Sequence, residues 1–319
     1  MKPRPGNIED LSALLKESLA KHQPLQEWDL GQMNRMIHHA PEDMTATVEA
    51  GMTLQDLQRH LAGAGQWLPL DPAQPDQVSI AMLLAENRYG PRRYGYGAVR
   101  EHLIGIRMVL ADGQIVKSGG LVMKNVAGFD LCRLMVGNRD TLAIIAEASF
   151  RLRPIPESEK FLKVSSPSWE AAQRQLEEVL NSALTPVILD LHNLTEDGDD
   201  TAGFVSLVIG LAGTKPEVDW QMQEADRMGI NQPATLDYEA RFWRQGAQTK
   251  IHTRSVLPSK LCEILESLGN IPVVARAGNG IFHYAGGEPP ARSHRFPSAL
   301  LNRVKSIFDP ENILPQPNW

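Results

Sequence analysis

Gly119-Gly120-Leu121-Val122-Met123-Lys124-Asn125-Val126-Ala127-Gly128-Phe129-Asp130-Leu131 is an apolar run broken by Lys124, Asn125 and Asp130. Polar side chains this close together inside an otherwise apolar segment need partners, either one another or a ligand. Lys124 and Asn125 can donate to a carbonyl-rich or anionic ligand, whereas an ionised Asp130 only accepts. Immediately upstream, the segment from Asn87 to Gly97 combines Gly, Pro, Tyr and Arg in a way that no helix or central strand tolerates, which predicts a shaped loop. Glycine there lets backbone N–H groups approach a phosphate or a flat ring that a Cβ would exclude.

Working outward, apolar residues at three-to-four spacing predict a helix over 8–20, and alternation predicts a strand over 45–50 that ends at Gly51. Thr53 is set to cap a helix that carries Leu54, Leu57 and Leu61 and stops at Gly63. Strands follow over 103–110 and 114–117 around the Asp112-Gly113 turn, and a last one over 141–152. Composition then shifts, and residues 154–159 read as a linker. The domain boundary is expected there, giving domains over 1–153 and 154–319. Beyond it the order strand 161–164, helix 169–180, strands 187–191 and 204–211, helix 216–228 is β-α-β-β-α, one strand short of a ferredoxin-like sandwich. A helix over 258–268, a strand over 271–275 and a helix over 300–307 complete the reading. Tyr94-Gly95-Tyr96-Gly97-Ala98-Val99-Arg100 is no Rossmann fingerprint, since Arg100 stands at the third glycine position and no strand directly precedes it.

Composition sets outer limits. With 319 residues, about two domains are expected. Apolar residues at 42% and charged residues at 22% describe an ordinary globular chain rather than a disordered one. A net charge of −6 gives no general attraction for nucleic acid. The only cysteines, Cys132 and Cys262, are far apart, so no disulfide framework or Cys-x-x-Cys metal site is formed and a reducing cytoplasm is expected. The longest apolar stretch, 10 residues over 204–213, is half of the roughly 20 needed to cross a bilayer. No signal-peptide apolar core is present in residues 1–22. Hydrolase, kinase and zincin motifs are absent, no general base for hydroxy-acid oxidation can be named, and the adjacent His38-His39 do not face one ligand.

The strings Tyr89-Gly90-Pro91-Arg92-Arg93-Tyr94-Gly95-Tyr96-Gly97 and Met123-Lys124-Asn125-Val126-Ala127-Gly128-Phe129-Asp130 resemble the FAD-linked oxidases with the vanillyl-alcohol-oxidase or PCMH-type fold, and within them the FAD-binding E subunits of glycolate oxidases. Val48-Glu49-Ala50-Gly51, Leu68-Pro69-Leu70-Asp71-Pro72 and Phe308-Asp309-Pro310-Glu311-Asn312-Ile313 support the match. The resemblance implies an α+β architecture: a two-lobed PCMH-type FAD-binding domain over 1–153 with a shortened N-terminal lobe, then a ferredoxin-like cap over 154–319. It implies FAD as cofactor, lined by Pro69, Asp71, Pro72, Ser79, Ile80, Asn87, Gly90, Arg92, Arg93, Gly95, Gly97, Lys124, Asn125, Ile144 and Ile145. It also implies a small 2-hydroxy acid substrate, and a catalytic flavoprotein and an iron-sulfur protein as partners, in the cytoplasm or peripheral to the inner membrane through them. His283, after Gly278-Asn279-Gly280, lies where the cap of such proteins meets the flavin, and is either a substrate contact or a satisfied core histidine.

The chain departs from that pattern in three places. The interval from Leu25 to Thr45 contains one glycine, Gly31, and no strand alternation, where the family has a glycine-rich pyrophosphate turn between two strands. A later glycine pair is represented by Ser79-Ile80-Ala81-Met82, and a Gly-x-Leu-Gly turn by Asp140-Thr141-Leu142-Ala143. Losing about three charge-assisted bonds of roughly 1.5 kcal/mol or more each removes about 5 kcal/mol, or several thousand-fold in affinity. Two readings follow: an FAD-binding subunit of a glycolate oxidase-type 2-hydroxy acid oxidoreductase, or a flavin-free paralogue serving such a complex as a structural or regulatory subunit.

Overall fold

The computed structural model describes residues 2–120, 130–195, 204–245, 249–287 and 298–316. The chain divides into two compact units: Met1–Tyr89, Ala98–Ile155 and Arg292–Trp319 form the first, Gly90–Gly97 and Pro156–Ala291 the second.

The first unit opens with α1 (Ile8–Ala20), which the Asn7 side chain caps by accepting from the Asp10 amide at 2.8 Å. It continues through β1 (Met36–Ala40), β2 (Thr45–Glu49), α2 (Leu54–Ala62), β3 (Gln66–Trp67) and α3 (Ile80–Ala85). After α4 (Arg93–Tyr96), which counts with the second unit, come α5 (Val99–His102), β4 (Leu103–Leu110), β5 (Ile115–Gly119), α6 (Leu131–Met135), β6 (Ala143–Arg151) and β7 (Arg153–Pro154). An antiparallel sheet runs in the order β1-β2-β6-β4-β5, while β3 and β7 pair separately. Period-two alternation sorts its faces. Ala46, Val48, Ala148 and Phe150 point into a core shared with Leu11, Leu15, Leu54, Leu57 and Leu61. Thr47 and Ser149 meet on the opposite face, their hydroxyls 2.8 Å apart.

The terminal helix Ser298–Phe308 is fastened to this unit by a buried charge. Lys305 Nζ pairs with Asp309 and donates to the Thr141 carbonyl at 2.8 Å, while the Asp309 carboxylate accepts from the Ile313 and Leu314 amides at 2.8 Å each. The Phe308-Asp309-Pro310-Glu311-Asn312-Ile313 string therefore acts in this chain as an anchor for its tail.

The second unit contains β8 (Ser158–Ser166), α7 (Trp169–Leu180), β9 (Ile188–His192), β10 (Val205–Gly213), α8 (Lys215–Arg227) and β11 (Gln232–Pro233). Then come α9 (Asp237–Gln245), β12 (Ile251–Ser255), α10 (Leu261–Ser267), β13 (Val273–Arg276) and β14 (Ile281–Ala285). Its sheet runs β11-β8-β10-β9-β13-β14-β12. The first four strands have the split-βαβ arrangement expected from β8-α7-β9-β10-α8, and β11 is the missing strand, only two residues long. One sheet face packs on α7, α8 and α10 through Leu189, Leu191, Leu207, Phe282 and Tyr284; the other packs on α9 through Tyr238 and Phe242.

Several local expectations are corrected. Residues 87–97 are not all loop, because α4 forms over 93–96 before Gly97, at φ 88°, breaks it. The interval 25–45 does contain a strand, β1, whose register shifts between Met36 and His38 and so blurs the alternation. The strand placed at 161–164 begins at Ser158, which shortens the linker.

Candidate functional site

A cavity of about 760 Å³ opens in the first unit, lined by Trp28, Asp29, Gly31, Gly51, Thr53, Gln77, Ser79, Ala81, Met82, Glu86, Arg139 and Asp140 among others. It gathers all three places at which the sequence departs from the family pattern. What an anion could find there is decided by the backbone amides and the charges.

The amides of Gly51, of the first turn of α3 and of residues 139–141 are already in use. Gly51 N–H donates to the Met33 carbonyl at 2.9 Å, and a Cβ on Gly51 would lie 1.8 Å from the Leu30 carbonyl oxygen. Glycine is thus required at 51 because residues 30–33 lie against it. At the start of α3 the Ile80 amide donates to Met52 O at 2.9 Å, Ala81 to Ala50 O at 2.7 Å, Met82 to the Ser79 hydroxyl at 3.2 Å and Leu83 to Ser79 O at 2.8 Å. In the last turn Arg139 N–H donates to Ala85 O at 2.9 Å, Asp140 to the Asn138 side chain at 2.6 Å and Thr141 to Asn138 O at 3.0 Å. The Thr53 hydroxyl is spent on Asp56 as the cap of α2.

The charges are mostly negative. Asp29 accepts from Gly31 N–H at 2.8 Å and pairs with Arg4 at 2.9 Å, and Glu86 pairs with Arg88 at 2.8 Å. Asp140, at φ 57°, is half-buried, and burial followed by repulsion from Glu86 pushes its carboxyl up to about 7. A pyrophosphate would meet three carboxyl groups beside Arg139 and bonded amides, so these positions do not fit one.

Of the described residues expected to line a flavin, Ser79 alone lines this cavity. Pro69 and Pro72 are buried and Asp71 is half-buried; the preceding turn is held by Gln58, which accepts from Leu68 N–H at 3.0 Å and donates to Leu68 O at 2.5 Å. Ile80, Ile144 and Ile145 have side chains in the core. Asn87 sits at φ 51° with a buried Oδ1 that finds no hydrogen-bond partner among the described residues. Gly90, Arg92, Arg93, Gly95 and Gly97 count with the second unit. There Arg92 forks onto Glu159 at 2.9 and 2.6 Å, and Gly95 N–H donates to Val187 O at 3.0 Å, where a Cβ would lie 2.5 Å from Val187 Cα. Lys124 and Asn125 lie outside the described residues.

The second unit holds a buried polar array that the sequence reading missed. Arg276, wholly buried on β13, pairs with Asp190 of β9 and, at 2.5 Å, with Glu239 of α9. Tyr238 OH donates to Asp190 at 2.7 Å and Trp243 Nε1 to Glu239 at 2.7 Å. Burial raises the Asp190 carboxyl, and Asp190 and Glu239 together keep Arg276 charged against its own burial. His192 and His283, both buried, are pushed down to about 3 by burial and are neutral, and His283 Nδ1 lies 2.8 Å from the Thr253 hydroxyl. These histidines are too weak to serve as bases near neutrality, and the guanidinium is occupied by its own carboxylates. The available sequence signal was Tyr238 and Phe242, four apart on one helix face. Among the described residues no cluster of metal-ligating side chains occurs, and no helix is long and apolar enough to cross a membrane.

Residues 29–119 match the FAD binding domain family. The chain is 35% identical over 158 residues to glycolate oxidase subunit GlcD of Bacillus subtilis, covering 50% of this chain and 34% of that one. It is 29% identical over 206 residues to glycolate oxidase subunit GlcE of Escherichia coli, covering 63% and 59%. With a D-lactate dehydrogenase of Archaeoglobus fulgidus it shares 28% over 220 residues, covering 63% and 49%. The chain therefore spans from about a third to three-fifths of these relatives' own length. In fold it is similar to an alkyldihydroxyacetonephosphate synthase structure, with a TM-score of 0.73 at 17% identity over 98% of this chain and 74% of that one. Residues 29–119 thus carry an FAD binding domain match, and the chain is built on the PCMH-type FAD-binding fold with an α+β second unit.

Proposed function

We propose that this chain is a subunit of a glycolate oxidase-type 2-hydroxy acid oxidoreductase complex, working beside a catalytic flavoprotein chain and an iron-sulfur chain. The observation that carries the reading is similarity to two proteins named as glycolate oxidase subunits, GlcD of Bacillus subtilis and GlcE of Escherichia coli. The second unit supports an accessory role, because its buried cation and histidines are committed to internal contacts rather than set out for a hydroxy acid. Its contribution is to present a folded surface to the partner chains, while oxidation of the small 2-hydroxy acid proceeds on the catalytic flavoprotein. Free, buried Cys132 and Cys262 suit a reducing cytoplasm, with any membrane contact made through the partners.

A second reading, in which the chain carries its own FAD and relays electrons, is favoured by the match of residues 29–119 to the FAD binding domain. Co-expression of the tagged chain with a GlcD-type flavoprotein and an iron-sulfur chain tests the subunit role. Co-purification, with glycolate-dependent dye reduction that falls when this chain is omitted, is the expected result. A chain that purifies alone and leaves dye reduction unchanged refutes it.

A further inference from the structure

We infer that this chain takes up no FAD, because its first unit has converted the positions of the pyrophosphate turns into internal fasteners. The inference rests on the FAD-linked oxidase kinship and deepens the subunit reading. Every amide named around the cavity has a protein acceptor: Gly51 holds residue 33, Ile80 and Ala81 hold the β2-to-α2 connection, and Arg139 to Thr141 close on Ala85 and Asn138. Freeing any of these amides for a phosphate would break a bond that fixes the unit's own chain. The space beside Gly51 is also taken: the Leu30 carbonyl rests where a Cβ of Gly51 would stand, and Leu30 and Met33 are buried in the core.

Charge acts in the same direction. Asp29, Glu86 and Asp140 line the cavity, and Asp29 and Glu86 hold Arg4 and Arg88 in ion pairs, so those two guanidiniums are engaged by carboxylates and a pyrophosphate would have to compete for them. Arg92, the cation expected to assist, is forked onto Glu159 in the second unit. Without about three amide contacts to a charged group, affinity falls roughly a thousandfold or more before repulsion is counted.

The test is titration of the full-length chain with FAD and, separately, with inorganic pyrophosphate, following melting temperature and flavin fluorescence. Neither probe is expected to give a saturable change below about 100 μM, since a ligand of the folded state would raise the melting temperature with concentration. Asp140→Asn, which removes a charge and leaves the amides bonded, is expected to stay equally indifferent. A saturable shift at micromolar FAD in the natural chain overturns the inference, and micromolar binding gained by Asp140→Asn overturns the account of spent amides. Co-purification separates the two levels. Flavin bound by a chain that still joins the complex refutes this inference alone, whereas a colourless chain that joins no partner refutes the subunit reading and upholds this one.

Discussion

Asp140→Asn is expected to stabilise the protein above neutral pH and to leave it nearly unchanged in acid. The carboxyl is half-buried, lines the cavity with Glu86 and Asp29 as well as Arg139, and moves from 3.8 to about 7, first by burial and then by repulsion from Glu86. Because the folded value lies above the unfolded one, the folded state binds more protons between the two. The stability associated with protonated Asp140 is therefore complete below about pH 4, declines as pH rises, and is gone above about pH 7. At about 1.36 kcal/mol per unit, the whole shift corresponds to about 4 kcal/mol; solvent reaching a half-buried carboxyl roughly halves it, to about 2 kcal/mol. Asparagine keeps the volume without the ionisation. Urea unfolding of both proteins from about pH 4.5 to 8.5 should show the variant gaining about 2 kcal/mol across that range, while Asp190 and the histidines cancel in the difference. A gap that is flat with pH, or one that favours the natural chain in alkali, refutes the placement of a destabilised carboxyl in this cavity.

Three further outcomes follow from packing and pairing. Gly51→Ala drives a Cβ to 1.8 Å from the Leu30 carbonyl oxygen, so calorimetry should show a loss of about 3 kcal/mol or a failure to fold. Arg276→Met leaves Asp190 and Glu239 buried together without their cation and should cost about 3–5 kcal/mol in denaturant unfolding. Adding Asp190→Leu and Glu239→Gln to that variant should recover most of the loss, because a neutral replacement of the whole array removes the unpaired charges. Lys305→Met strips the cation from buried Asp309 and should release the tail, read as faster proteolysis beyond residue 300 and a loss of about 3 kcal/mol.

The main features of both units were legible because their patterns are local. The periodicity of α1, the Thr53 cap of α2 and the run Trp169–Leu180 are written in adjacent residues, and the alternation of Ala46 and Val48 fixes which face of β2 turns to the apolar core. The ferredoxin-like arrangement could be reached from element order alone. Elements that depend on distant partners escaped. Strand β1 carries exposed Ile37 and His38, a half-buried His39 and a register shift, and α3 is six apolar residues with no polar face to set a period. Likewise β14, read as a glycine motif with a histidine, is a central strand whose His283 is neutral and buried. For the site, the sequence disclosed which turns had lost glycine, since that is a matter of residue identity. That the amides of those turns are bonded to residues 33, 50, 52 and 138 depends on the folded chain, as does the meeting of Asp190, Glu239 and Arg276 from three separate elements.

The central claim is a flavoprotein fold that serves without its flavin, and the most direct measurement is the visible spectrum and acid-released flavin content of the chain purified in the presence of excess FAD. A colourless protein with no flavin band near about 450 nm and far below one flavin per chain is expected. A yellow protein carrying close to one FAD per chain after desalting contradicts it.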